Sequence, residues 1–440
     1  MSINQNKDWR FRAFISYIRF INNHLMLRKR YLIGGENLPE IGEKFIIVSN
    51  HQNSANDPLN IAFMLPKERR IGFMTRADAF TWNSTLTRLI RWLGLKPAYR
   101  AGWEGAEALE KNFNSFDEVS DWILQGYPIL VFPQGGHTSG HYFQPLTTGT
   151  ARMAFHVAQQ SDWKEDIKIV PVAHHYENFF TVRHDFILTI GKPISLKEYY
   201  EGYQNKPFTA MRRVRDLMYN SIHDMMLDEG EADYTEKDYL RNSLVNDIVA
   251  QGRNVPLPKR LEADKQFVAD VIKSPNYDEI LQLTRELMSE EKALGIDDYS
   301  TLYAQDSKAS QLCKIVGSSI IDLVLLPLWI VSLWPAALCY RLPLKMLKED
   351  IMFLNSYRYI VSVLALIPIS ILITVPLIGC LTGLWWLALL WAILFVPICQ
   401  FAWWEWCHMK STIQRITVFS HLGNVAKFAE LRNKIKNLIK

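Results

Sequence analysis

The sequence predicts an α/β domain, a mixed sheet flanked by helices, followed by a helical region and a C-terminal α-helical membrane domain. Three observations support this prediction. Short apolar strands alternate with helical stretches over residues 32–200, as they do in an α/β sheet. Residues 201–310 are charged and helix-like. Residues 359–404 then hold no charged side chain, which is enough for two membrane spans of about 20 residues each.

Residues 1–31 are predicted to form a basic amphipathic interfacial helix. Apolar side chains recur at helical spacing from Phe11 to Leu25, with arginines and lysines around them. Such a helix can lie in the headgroup layer of an anionic membrane, or it can pack on its own domain. The opening residues MSINQNKDWRFR lack the apolar core of a secretory signal, so the soluble part is expected to stay in the cytoplasm.

Residues 32–230 are the predicted α/β domain. Its strands are expected at residues 45–49, 72–75, 129–132, 169–173 and 186–190. Residues 231–312 are predicted to be a charged helical linker or subdomain, which carries no chemical motif and is broken by Pro256, Pro258 and Pro275. The net charge of +4 is too small to indicate a nucleic-acid-binding protein.

Residues 313–408 are the predicted membrane region, with a spanning hairpin formed by residues 359–378 and 383–404. Tryptophans crowd near both ends of the second span, as they do at membrane interfaces. The five cysteines all lie in the last third of the chain, and their spacing fits neither a zinc site nor a disulfide framework.

The predicted membrane topology follows from the charge of the flanking segments and from the need for an even number of membrane crossings. Residues 409–440 form a basic tail, which the positive-inside rule places in the cytoplasm with the soluble part. An even number of full crossings is therefore required, and the hairpin supplies two. Residues 315–340 are accordingly predicted to re-enter on the same side, bent at Pro327 or Pro335, because Asp322 is costly at mid-bilayer. A plain third span is the alternative.

The first segment that bears chemistry follows the apolar strand FIIVS. It contains His51 and, further along, Asp57. A histidine in the loop after a strand lies where α/β folds place their sites. Asp57-Pro58 also fits a helix N-cap followed by proline at the first helical position, so the structural alternative is a cap and a polar loop residue.

A second segment, FPQGG at residues 132–136, ends another strand in a glycine turn. Consecutive glycines let backbone N–H groups converge on an anion or on a developing oxyanion, although an ordinary strand-to-loop turn has the same composition. Between the two segments, Gly94 precedes Arg100. The Arg100 guanidinium suits a phosphate, while a lone arginine more often forms a surface ion pair.

In this order, the segments resemble blocks of the glycerolipid acyltransferase family, which includes the bacterial 1-acyl-sn-glycerol-3-phosphate (lysophosphatidate) acyltransferases. The resemblance covers residues 31–226, a little under half of the chain. Its main blocks are the histidine–aspartate pair, the glycine–arginine pair, a Phe-Pro-Glu-Gly turn that reads FPQG here, and the strand IVPV at residues 169–172. The stretches 145–155 and 190–194 also look like the family. Each block alone is weak evidence, whereas six in order are strong.

The sequence departs from the family pattern in two ways. Five residues separate His51 from Asp57, where the family usually has four. Gln134 stands where the family has glutamate, and an amide keeps the hydrogen-bonding shape but loses the charge. A role that requires a carboxylate is therefore not carried over to Gln134, and the change can accompany a different acceptor.

The resemblance implies an O-acyltransferase of the 1-acylglycerol-3-phosphate type, active in phospholipid synthesis. It would move a fatty acyl group from acyl-ACP or acyl-CoA to the hydroxyl of lysophosphatidate, with His51 as the base and Asp57 holding its imidazole. Substrate contacts are expected from residues in the matching blocks, namely Gly94, Arg100, Gln134, Gly135, Gly136 and Arg152. No metal or organic prosthetic group is expected.

The expected partners are membrane lipids, the lysophospholipid acceptor and the acyl carrier protein or CoA thioester, with no nucleic acid. The expected location is the bacterial inner (cytoplasmic) membrane, with the catalytic domain facing the cytoplasm.

Three alternatives remain. The same chemistry can act on glycerol 3-phosphate or on a lyso-amino-acid lipid of the ornithine or glycine type. A non-catalytic membrane lipid-binding relative is favoured by Gln134 and opposed by the intact His51 and Asp57. A lipid hydrolase of the usual serine type is disfavoured because the sequence has no G-x-S-x-G nucleophile turn.

Overall fold

The chain divides into two compact units. The computed structural model describes residues 8–66, 70–81, 83–99, 107–250, 255–297, 307–347, 351–364 and 371–439. The first unit comprises Met1–Asn23, Leu27–Ser139 and Phe143–Met226. The second comprises His24–Met26, Gly140–Tyr142 and Leu227–Lys440.

The first unit is built on an eight-stranded mixed sheet flanked by helices, which confirms the predicted fold class. Its strands are β1 Leu27–Ile33, β2 Phe45–Ser49, β3 Gly72–Arg76, β4 Leu95–Ala98, β5 Ile129–Val131, β6 Lys168–Tyr176, β7 His184–Ile190 and β8 Ile194–Ser195. Its helices are α1 Trp9–Ile21, α2 Asn56–Met64, α3 Ser84–Trp92, α4 Glu107–Leu124, α5 Gly149–Gln160, α6 Tyr200–Asn205 and α7 Pro207–Met225.

The strand order places the ends of three strands together at one edge of the sheet. The order is β1-β7-β6-β2-β5-β3-β4, with β8 beside β6. Strand β2 runs parallel to both β5 and β6, so the loops that leave these three strands emerge at the same edge. Strand β7 is antiparallel to β6 and makes the sheet mixed. The carboxyl edge of β2, β5 and β6 is therefore the place where separate segments of the chain can meet.

Helices cover both faces of the sheet. Alternate residues of β2 point to opposite faces, as they must in a strand. Ile46 and Val48 join a core that includes Phe155 of α5, while Phe45 and Ile47 join a second core that includes Ile61 of α2. Each such buried side chain contributes about 1.5–3 kcal/mol to stability. Strand β2 is thus held from both sides, and the loop after it starts from a fixed point.

The N-terminal helix is shorter than predicted. Helix α1 ends at Ile21, and the chain continues into the edge strand β1, which begins at Leu27. The cause is pairing with β7, which aligns Leu27 with His184 and Ile33 with Thr189. The basic side chains of β1 are largely exposed, so their charge does not oppose the strand. The prediction of one interfacial helix over residues 1–31 was therefore wrong in its extent.

The second unit is helical among its described residues. Its described α-helices are α8 Tyr234–Ile248, α9 Leu257–Lys273, α10 Tyr277–Leu294, α11 Lys308–Ala336, α12 Leu342–Met346, α13 Leu354–Leu364, α14 Val375–Thr382, α15 Trp385–Ser420 and α16 Leu422–Ile439. By length and composition, two stretches are apolar enough to cross a membrane, Lys308–Ile330 of α11 and the whole of α15. They pack as an antiparallel pair, in which Trp329 Nε1 donates to the Ala402 carbonyl at 3.2 Å.

The re-entrant bend predicted within residues 315–340 is absent. Helix α11 continues through Pro327 and Pro335 to Ala336. In an apolar stretch a helix satisfies its own backbone, so a proline costs less there than a break would. Asp322, the residue expected to oppose a plain span, lies 2.6 Å from His408 of α15. The structure therefore favours the alternative of one unbroken helix.

The predicted hairpin is matched in its second arm. Helix α15 contains residues 383–404 except for the two at its start, and it continues to Ser420. Gly383, with φ of +69°, ends α14 in the left-handed conformation that glycine tolerates, and the chain turns there into α15. Residues 365–370 of the first arm lie outside the described residues, so the span 359–378 stays a prediction.

Candidate active site

The histidine and the aspartate of the first motif are in direct contact. His51 Nδ1 lies 2.7 Å from Asp57 Oδ2. The Asp57 side chain is fully buried, whereas the His51 side chain is 19% exposed. The His51 ring stacks on Phe132, with ring centroids 4.1 Å apart, and Phe132 comes from the loop after β5. The parallel strands thus bring the His51 segment and the FPQGG segment together at one edge of the sheet.

Asp57 is held by groups from two segments, the loop after β2 and the end of β6. Its Oδ2 accepts hydrogen bonds from the backbone N–H groups of Gln52 at 2.7 Å and Asn53 at 2.8 Å. Its Oδ1 accepts from the Tyr176 hydroxyl at 2.7 Å and lies 3.2 Å from His174 Nε2, which is in range for an ion pair but outside hydrogen-bond geometry. Burial alone would raise the pKa of Asp57, but His174 and then His51 hold it well below its usual range. Asp57 is therefore an ionised carboxylate.

Asp57 does not serve as the N-cap of α2. The cap position is Ala55, which makes no side-chain hydrogen bond to the helix. Asp57 lies in the first turn, and the donors to its carboxylate come from the loop that precedes the helix. The structural alternative for this residue is thus not supported.

The five-residue loop between His51 and Asp57 contains a tight turn. The Asn56 N–H donates to the Asn53 carbonyl at 3.0 Å, and Ser54 has a φ of 46°, in the left-handed region. This turn shortens the path from His51 to the helix, so the five-residue spacing still allows the 2.7 Å contact.

The contact with Asp57 defines which nitrogen of His51 is available for chemistry. Because an ionised carboxylate accepts, Nδ1 is the donor nitrogen in the neutral imidazole, and Nε2 is then the nitrogen with the lone pair. Among the described residues, Nε2 has no hydrogen-bond partner. An imidazole held in this way can take a proton from a hydroxyl group brought within about 3 Å.

Gln134 orients the loop that carries His51. Its Oε1 accepts a hydrogen bond from the His51 backbone N–H at 2.7 Å, and its side chain is 9% exposed. The bond needs an acceptor oxygen and no charge, so a glutamine performs this role as well as a glutamate does.

The glycine turn borders open space. Gly135 has a φ of +76°, and its N–H donates to the Phe132 carbonyl at 3.3 Å. The Gly136 N–H has no hydrogen-bond partner within the described segments. A Cβ atom built on either glycine would meet nothing within 4 Å. The turn therefore leaves room for a ligand, and the Gly136 amide is the free donor beside it.

The other predicted site residues are not brought into this cluster. Gly94 has a φ of +93° in the turn before β4, where it packs against Gly72 and Trp122. Because β4 runs parallel to its neighbours, Gly94 lies at the opposite edge from His51 and has a structural role. Arg152 is half-buried in the first turn of α5, with no ion pair in the described parts of the chain. Arg100 lies outside the described residues.

Sequence reasoning missed the contribution of β6. His174 and Tyr176 are buried and both approach Asp57 from the end of this strand. Asn50 ties the two strands together, because its side chain accepts from the His174 N–H at 2.9 Å and donates to the His174 carbonyl at 3.0 Å. The available signal was the sequence HHY at the end of an apolar strand, with two of its residues spaced so that they share a face.

The fold and this geometry define an α/β domain that holds a histidine–aspartate pair at the carboxyl edge of its sheet. Residues 30–175, less than half of the chain, match the protein family described as Acyltransferase, which supports the resemblance to the glycerolipid acyltransferases.

Two known proteins are similar to parts of the chain. An uncharacterized acyltransferase of Schizosaccharomyces pombe is 29% identical over 110 residues, which are 24% of this chain and only 16% of that protein. The crystal structure of the 1-acyl-sn-glycerophosphate (LPA) acyltransferase PlsC from Thermotoga maritima matches 49% of this chain and 84% of that chain, at 16% identity and a TM-score of 0.31.

Proposed function

We propose that this protein is a membrane-associated O-acyltransferase that transfers a fatty acyl group from acyl-ACP or acyl-CoA to the hydroxyl of lysophosphatidate. The observation that carries the proposal is the His51–Asp57 pair. Nε2 of His51 has no partner among the described residues, and the His51 ring stacks on Phe132, beside the open glycine turn. The acyltransferase domain supports acyl transfer as the reaction class. Two helices long and apolar enough to cross a membrane support membrane association.

The proposed reaction is a direct transfer between two substrates. His51 Nε2 takes the proton of the acceptor hydroxyl as its oxygen attacks the thioester carbonyl carbon. Asp57 stabilises the imidazolium that forms. When the tetrahedral intermediate collapses, the carbon–sulfur bond breaks and the imidazolium returns the proton to the thiolate. The products are an ester and a free thiol.

Two further groups are assigned roles in this scheme. The Gly136 amide is the candidate donor to the oxyanion of the tetrahedral intermediate, because its N–H is unpaired and the space beside it is open. Arg100 and Arg152 are the candidates for the phosphate of the acceptor, because a guanidinium can donate two parallel hydrogen bonds to phosphate oxygens.

The test is turnover of defined substrates by the purified full-length protein. Each donor is paired with lysophosphatidate, glycerol 3-phosphate and lyso-ornithine lipid, and the lipid products are identified by mass spectrometry. We expect phosphatidate from lysophosphatidate. A preference for another acceptor would keep the chemistry and replace the substrate, whereas no turnover of any pair would favour the non-catalytic alternative.

The variant His51→Ala tests the base. General-base catalysis contributes about 10²–10⁴-fold, so we expect kcat to fall by that factor with the fold intact. His156→Ala is the matched control, because His156 also contacts an aspartate, Asp117, at 2.7 Å, but on helix α5. Near-normal turnover by His51→Ala, or an equal loss in both variants, would contradict the proposed mechanism.

A further inference from the structure

Helices α11 and α15 enclose a polar cluster that the acyl-transfer scheme does not use. It consists of Asp322 from α11 and of Glu405 and His408 from α15. Asp322 Oδ1 lies 2.6 Å from His408 Nδ1. Asp322 and His408 are 86 positions apart in the sequence, so no local motif reveals the cluster.

Glu405 is the member whose environment is incomplete. It is fully buried, and neither of its carboxylate oxygens has a hydrogen-bond partner. Over the described chain, no lysine or arginine pairs with it. Arg341, a nearby cation, instead places its guanidinium over the Trp406 ring, 4.5 Å from the centroid. Buried polar groups are normally paired, so two bare oxygens on one carboxyl group indicate a missing partner.

A proton alone does not supply that partner. Protonation would neutralise Glu405, but it would leave a buried hydroxyl and a carbonyl oxygen without hydrogen bonds. The two neighbouring groups are already engaged with each other through the contact between Asp322 and His408. A single cation that interacts with Glu405 and with the other two groups would satisfy these oxygens.

We propose that Asp322, Glu405 and His408 bind one divalent transition-metal cation of the zinc type. One donor atom from each residue lies within 4.8 Å of the others. Imidazole nitrogen and carboxylate oxygen are ligands that zinc accepts, with water completing the tetrahedron. Two carboxylates, a neutral imidazole and a divalent cation sum to zero charge, which is the requirement for a buried apolar location. The cation would link α11 to α15.

A second cluster of similar composition already contains a cation, although Glu229 Oε2 there also has no hydrogen-bond partner in the described part of the chain. His141, Glu229 and Asp238 also offer three donor atoms close together. There, however, the buried Arg241 donates from Nε to Glu229 at 2.8 Å and approaches Asp238 with Nη2. The guanidinium already supplies the positive charge and the donors. No such cation reaches Glu405 among the described residues, which is why the proposal concerns that cluster alone.

The test uses the full-length protein in detergent after chelator treatment. We expect one equivalent of Zn²⁺ per chain by elemental analysis, a rise in Tm on adding Zn²⁺, and visible d–d absorption bands when Co²⁺ is bound instead. Glu405→Gln keeps the side-chain shape and should weaken Zn²⁺ binding at least 10-fold and remove the Co²⁺ bands. Glu430→Gln, at an exposed position of α16, is the control and should leave both unchanged.

Several outcomes would overturn the proposal. Stoichiometric Zn²⁺ in Glu405→Gln would mean that the metal binds elsewhere. A wild-type protein without Co²⁺ bands, or with no Tm change at saturating Zn²⁺, would mean that the cluster holds only protons. The wild-type measurements need no variant, so they decide the question even if Glu405→Gln misfolds, and His408→Gln provides a second substitution.

Discussion

Asp57 is the residue whose electrostatics make the clearest prediction. Its folded-state pKa lies below its unfolded value, so its contribution to stability is complete above the unfolded pKa of about 3.9 and is lost as the pH falls through the lower folded value. We expect Asp57→Asn to lower the free energy of unfolding by about 1–3 kcal/mol near neutral pH, because the backbone N–H groups of Gln52 and Asn53 and the Tyr176 hydroxyl lose a charged acceptor. The difference from wild type should shrink below pH about 4. Thermal unfolding of both proteins from pH 3 to 8 measures it.

The same variant separates a chemical role from a structural one. If Asp57 holds the His51 imidazole, kcat should fall about 10²–10⁴-fold in the folded Asp57→Asn protein. A protein that is less stable but turns over at the normal rate would assign Asp57 to packing alone.

Gln134 gives a second prediction at this scale. Its carboxamide oxygen accepts from the His51 N–H, so Gln134→Leu leaves a nearly buried donor unpaired. We expect a loss of about 1–3 kcal/mol, expressed as lower stability and slower turnover. Gln134→Glu retains the acceptor oxygen and should stay close to wild type in Tm. If leucine and glutamate behave alike in both assays, the bond to His51 is unimportant.

At the scale of elements, some apolar residues of helix α1 pack against the domain, whereas Trp9 is exposed and available to a membrane. Phe11 and Phe14 pack against Trp92, with ring centroids 5.4 and 5.9 Å apart, while Trp9 is 66% exposed. We expect Phe14→Ala to lower Tm, because it removes a packed ring, and Trp9→Ala to leave Tm unchanged. In a flotation assay of residues 1–31 as a peptide with anionic vesicles, Trp9→Ala should weaken binding, and unaltered binding would favour packing as the helix's sole role.

The strands show which elements a sequence reveals. The five predicted strands all exist, and β2 has the predicted bounds. They are the buried strands, whose apolar runs stand out. The strands that were missed include β1 and β4, which form the two ends of the sheet order. Strand β1 is mostly exposed and rich in basic residues, and β4 contains Pro97, which an edge strand tolerates.

The site follows the same pattern. The His51–Asp57 contact was predictable because both residues belong to one short motif. The contribution of His174 and Tyr176 depends on the register between β2 and β6, which aligns Ser49 with Val172. No local pattern fixes a register between strands so far apart in the chain.

At the scale of the whole molecule, ion pairs constrain the membrane topology. Lys434 of the basic tail pairs with Glu279 at 3.1 Å, and buried Arg432 pairs with Asp247 at 3.3 Å. These acids belong to helices that precede α11, so in the proposed membrane arrangement the segments before α11 and after α15 lie on one side. The two candidate spans α11 and α15 satisfy that requirement by themselves.

This topology predicts that the segment between them faces the opposite side. In a background without the native cysteines, Lys345→Cys should react with a membrane-impermeant maleimide from the far side, and Glu430→Cys should react only from the side of the tail. The basic residues near Lys345 oppose this arrangement, although charge bias does not always decide topology. If both cysteines react with the maleimide from the same side of the membrane, the re-entrant arrangement would be favoured instead.

The left-handed turn at Ser54 has a consequence for how relatives of this chain are recognised. A search pattern that fixes the number of residues between histidine and aspartate assumes a constant loop length. It would discard any chain with an insertion in that loop. Here the five-residue loop turns at Ser54, which has a φ of 46°, and the two side chains are in contact. Glycine and small polar residues adopt that conformation more easily than bulky or β-branched ones. A pattern that permits variable spacing, and asks for a small polar residue or glycine within the longer loops, would retrieve homologues that a rigid motif excludes.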